Sequence, residues 1–94
     1  MRSRYSAFVQ LNSRYLLDTW HPRTRPTSIE FNTNQKWLGL RILDARMHED
    51  GTGQVEFVAR YRIGGTSASK LHERSRFVRD GERWFYLDGD IVKQ

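Results

Sequence analysis

The sequence predicts an α+β fold: one long N-terminal helix packed on a four-stranded antiparallel meander. Three observations predict it. Apolar side chains recur with a helical period from Arg4 to Trp20, the period changes to two from Leu38 onward, and the breaks between the later segments are too short for a crossover helix. With 94 residues the chain has room for a single domain, 1–94, that buries roughly 60 to 65% of the surface its unfolded form exposes. A large enzyme with separate cofactor and substrate domains is excluded.

Taking about 100° per residue, Tyr5, Phe8, Val9, Asn12, Tyr15, Leu16, Thr19 and Trp20 fall within an arc of about 140°. Gln10, Arg14 and Asp18 face the other way. Ser3 is the expected N-cap and Pro22 the stop, which gives about five turns of amphipathic helix. Residues 23–35 mix Pro, Thr, Ser and Asn without period and read as a loop, with one helical turn expected around Trp37. The strands are expected at 38–47, 55–63, 71–79 and 83–88.

The balance of 16 Lys and Arg against 11 Asp and Glu leaves a net charge of +5. The whole excess lies in residues 1–46, and 13 of the 16 cations are Arg, which suits flat bidentate contacts. Apolar runs are too short for a membrane span or a secretory leader, so a cytoplasmic protein is expected. There is no Cys, which removes disulfides and thiolate chemistry. No pair of the three His has a metal-motif spacing, so neither a metal nor another cofactor is expected.

A two-residue turn at Asp80-Gly81 would set Phe77 opposite Trp84, Ser75 opposite Tyr86 and Glu73 opposite Asp88, all on the face the helix covers. Two carboxylates would then meet at the end of an aromatic face and need a cation, a shared proton or water. His21, just past the helix end, is the expected partner. Trp20, Trp37 and Trp84 could line a ligand cavity between helix and sheet, although core packing accounts for such a stripe equally well. The ligand-contacting residues are therefore expected to be Trp20, His21, Glu73, Ser75, Trp84, Tyr86 and Asp88.

The opposite face carries Arg60, Arg62, Arg74, Arg76 and Arg83 among Val58, Val78, Phe85 and Leu87. A homodimer is expected there, with Val58, Arg60, Arg76, Val78, Phe85 and Leu87 at the interface. A platform for single-stranded nucleic acid is the less favoured reading, and long Arg stems covering a mildly apolar sheet is the plainest.

Several segments resemble the central domain of the YchJ family of uncharacterised bacterial proteins, within the nuclear transport factor two-like (cystatin-like) superfamily. They are Met-Arg-Ser-Arg-Tyr-Ser-Ala-Phe-Val from Met1, Tyr-Leu-Leu-Asp-Thr-Trp-His-Pro from Tyr15, Trp-Leu-Gly-Leu from Trp37, Val-Glu-Phe-Val-Ala from Val55, Leu-His-Glu-Arg-Ser-Arg-Phe-Val from Leu71 and Trp-Phe-Tyr-Leu-Asp-Gly from Trp84. The resemblance implies a cone, with the helix packed into a strongly bent sheet and a pocket at the wide end. The family's flanking cysteine-rich zinc motifs have no counterpart in these residues, so the resemblance carries no zinc over. Superfamily members include enzymes and plain interaction modules, and none of their catalytic signatures matches residue by residue. The expectation is a noncatalytic interaction or small-ligand-binding domain, the alternative being proton-transfer chemistry on a hydrophobic substrate with Glu73 or Asp88 as base and His21 or Tyr86 as donor.

Overall fold

The computed structural model describes residues 1–92. Two short helices, α1 (Arg2–Val9) and α2 (Ser13–Asp18), precede four strands, β1 (Gln35–Met47), β2 (Thr52–Ile63), β3 (Ser69–Asp80) and β4 (Arg83–Ile91). The strands pair in sequence order as one antiparallel sheet.

The single long helix of the sequence reading is replaced by this pair. Leu11 adopts a left-handed φ of 55°, its N–H donating to the Phe8 carbonyl and that of Asn12 to the Ala7 carbonyl, the hydrogen-bond pattern of a Schellman stop. Asn12 at once starts α2, its side chain accepting from the Tyr15 N–H at 3.1 Å. Ser3 lies inside α1 rather than capping it, and accepts from the Tyr15 hydroxyl. Breaking the helix changes what is inside: Val9 and Asn12, expected inward, are exposed, whereas Arg4 and Ala7 are buried, and Leu16 is buried as expected.

Trp37 belongs to β1, not to a helical turn, and stands opposite Tyr61. Val55, Phe57 and Ala59 of β2 and Phe77 of β3 form the buried centre of the inner face. Alternation does the rest, sending Glu56 and Val58 to the outer face.

The β3–β4 hairpin differs from the expected register in two ways. Its turn is Gly81-Glu82, with Gly81 at a φ of 65°, so Phe77 faces Tyr86 and Arg79 faces Trp84. That two-residue shift leaves the faces unchanged. A bulge at Leu87 does not: beyond it Arg76 pairs with Asp88, Ser75 with Gly89 and Glu73 with Ile91, so Asp88 is turned to the outer face, away from Glu73. The bulge coincides with a strap of chain along β4: the Tyr86 N–H donates to the Thr19 carbonyl, the His21 N–H to the Tyr86 carbonyl and the Thr24 hydroxyl to the Leu87 carbonyl.

Candidate functional site: an aromatic cavity between α1 and the sheet

A cavity of about 260 Å³ lies between α1 and the inner sheet face. Tyr5 and Phe8 come from successive turns of α1, Trp37 and Leu40 from β1, Phe57 and Ala59 from β2, Leu71 from β3 and Trp20 from the strap. Their rings meet edge-on or tilted, with Tyr5 at 5.9 Å and Phe8 at 6.1 Å from Trp37, and Trp20 at 4.9 Å from Tyr86, spacings that favour π contacts.

Two charged side chains, Arg4 and Glu73, and the phenols of Tyr5 and Tyr86 interrupt this lining. Arg4 is only 5% exposed, and its guanidinium lies over the rings of Tyr86 at 4.6 Å and Trp20 at 5.3 Å. Burial holds its pKa below the usual Arg value, while Tyr86, Tyr15 and Glu73 act the other way. Glu73 accepts from the Ser75 hydroxyl at 2.5 Å, with Ser75 fully buried beneath it. Its carboxylate packs over Gly89, where a Cβ would come within 2.7 Å of Oε2. Burial and then Glu73 push the Tyr86 phenol up to about 12, so it is a neutral hydrogen-bonding group at physiological pH.

Of the residues expected here, Trp20, Glu73 and Tyr86 share the cavity wall, and Ser75 supports Glu73. Three stand elsewhere. Asp88 is on the outer face, accepting from Arg76 Nε at 2.6 Å, because of the bulge. His21 lies against Phe85 at 6.3 Å and accepts from the Arg23 N–H, because the strap carries it past the sheet edge. Trp84 lines a second, smaller cavity of about 210 Å³ on the other side of Arg4 and Tyr86, because the shifted turn sets it opposite Arg79 rather than Phe77. Arg4 was missed by the sequence reading because a charged side chain counts toward the solvent face of a helical wheel. Its i, i+3 and i+4 relation to Ala7 and Phe8 was the available signal.

The outer face carries two clusters of paired charges. Glu56 bonds His72 Nε2 at 2.8 Å and Arg74 at 3.0 Å, which hold its carboxyl below the usual range, and Arg76 bridges Asp88 and Asp90, each at 2.6 Å. Arg83 lies over Phe85 at 5.3 Å. Among the described residues no three His, Asp or Glu side chains gather as a metal site, and no helix is long and apolar enough to cross a membrane.

With this geometry in view, the profile for the middle NTF2-like domain of YchJ matches residues 1–89. The chain belongs to the YchJ family. A UPF0225 protein of Polaromonas naphthalenivorans is 57% identical over 90 residues, 96% of this chain and 65% of that relative, and one of Bordetella pertussis is 55% identical over 92 residues, 97% of this chain and 68% of the relative. The chain thus spans about two thirds of the length of these relatives. Its structure is similar to the solution structure of a SEC-C motif-containing protein from Rhodopseudomonas palustris, with a TM-score of 0.86, 33% identity, and coverage of 99% of this chain and 76% of that one. The YchJ-type domain here is therefore an α+β unit of four antiparallel strands and two short helices.

Proposed function

We propose that this domain binds a small ligand in the cavity between α1 and the sheet and performs no chemistry on it. The observation that carries the reading is a concave, aromatic-lined space of about 260 Å³ with only two charged side chains in its wall, near the size and make-up of small-molecule sites. Its test is an apolar probe the size of toluene followed by amide chemical shifts. Saturable shifts confined to Tyr5, Ala59, Leu71 and their neighbours support it, and shifts that are absent or scattered reject it.

The enzymatic alternative narrows to Glu73 as base with Tyr86 as donor, since Glu73 is the one carboxylate among the residues lining this cavity. Glu73→Gln separates the readings, because it abolishes turnover in an enzyme and leaves apolar probe binding intact in a binding module.

Self-association through the outer face is the second part of the proposal. Val58, Val78 and Phe85 lie there half-buried, and Arg74 and Arg76 already have carboxylate partners, which suits a wet protein interface better than a row of phosphates. Sedimentation at high micromolar concentration decides it, a monomer ending the dimer.

A further inference from the structure

Arg4 carries an unmet demand. Among the described residues only its Nη1 has acceptors, the Leu16 carbonyl at 3.1 Å and the Thr19 hydroxyl at 2.6 Å, both neutral. No carboxylate of the described residues forms an ion pair with it. A guanidinium removed from water without a counter-ion is costly, and the lowered pKa of Arg4 expresses that cost. The edge formed by Nε and Nη2, which receives a carboxylate fork on fork, has no protein acceptor. Nor is it sealed: the one closed-off, unpartnered side-chain polar atom among the described residues is Nδ1 of His72. Glu73, in the same cavity wall, commits Oε2 to Ser75 and leaves Oε1 as an acceptor. A cavity of ~150 Å³ holds benzene, so this one accommodates a single ring with a substituent at each end.

We infer that the ligand is a small ring-bearing carboxylic acid, its carboxylate held by the Nε/Nη2 edge of Arg4 and a hydroxyl or N–H on its far side donated to Glu73. The inference rests on the cavity being a binding site, as proposed above, and adds the chemical class.

Three probes of nearly one shape test it: 3-hydroxybenzoate, the uncharged 3-hydroxybenzamide, and m-cresol, which keeps the hydroxyl and replaces the carboxylate with methyl. Titrated into the 15N-labelled chain at pH 7, the acid is expected to bind at least about tenfold tighter than the other two, with shifts around Tyr5, Ala59 and Leu71 (a tenfold preference being what one well-formed charged contact supplies). Arg4→Met should abolish the preference and Arg4→Lys should retain only part of it. Should these variants not fold, the comparison of probes in the unmodified chain stands by itself, and Ala59→Leu, which fills the cavity, should weaken all three together. Amide or cresol binding as tightly as the acid overturns the ligand class while leaving the cavity a binding site. Acid binding unchanged in Ala59→Leu places the acid elsewhere and also overturns it. If none of the three shifts the cavity residues, the binding-site reading falls and takes the ligand class with it.

Discussion

On the outer face of the sheet Glu56 lies between His72 and Arg74, and Arg76 between Asp88 and Asp90. On the inner face Arg4 and Glu73 line one cavity with no ion pair between them. The Arg76 cluster is thus paired where water could solvate it anyway, whereas Arg4 is unpaired where water is scarce. Exposed pairs of this kind contribute little each, and their side chains stay 41 to 67% accessible in the Arg76 cluster. The buried guanidinium, by contrast, imposes a desolvation cost that the surrounding aromatic core has to offset.

The largest expected effect separates the faces by packing. Phe57 and Val58 are adjacent on β2, one 6% exposed inside, the other half-buried outside. Phe57→Ala is expected to cost about 3–5 kcal/mol by leaving a void among Val55, Ala59 and Phe77, and Val58→Ala about 1 kcal/mol or less. Denaturant unfolding measures both. Equal losses would mean that the outer face is packed as firmly as the inner one and would break the comparison.

Much of this arrangement was legible in the alternation of β2 and β3, where odd residues from Val55 to Tyr61 and from Leu71 to Phe77 share a face. Three features were not. Leu11 is an ordinary side chain in a left-handed position, and nothing like Gly or Pro announced the helix break; only Asn12-Ser13 hinted at a new cap. The Leu87 bulge coincides with the strap from residues 19–24, a contact between parts of the chain more than 60 residues apart, and local pattern carries no trace of it. Arg4 is buried by tertiary contacts that override its preference for water.

The next effect sharpens the comparison at the site. Glu73 rests on Gly89, where a Cβ would lie 2.7 Å from Oε2 and 2.9 Å from Cδ. Since the Ser75 hydroxyl holds that carboxylate from the other side, Gly89→Ala is expected to cost about 1–3 kcal/mol through overpacking. In a Glu73→Ala background most of that cost should vanish, a coupling of about 1 kcal/mol or more. An undiminished cost would show that Glu73 does not occupy the space over Gly89.

The smallest effect is invisible at neutral pH. Tyr86 faces the cavity, and burial, with Glu73 next, raises its phenol to about 12, against an ordinary value of about 10. Between those values the unfolded chain loses this proton while the folded chain keeps it. The contribution of Tyr86 to stability is therefore whole below about pH 10 and declines as pH rises from there toward 12. Ultraviolet titration should show one of the four tyrosines ionising late, and Tyr86→Phe should remove that late step. A small acid bound beside Arg4 would add negative charge next to the phenol and delay the step further, whereas an uncharged occupant would not. The same titration thus reports both how dry the inner face is and what charge its ligand carries.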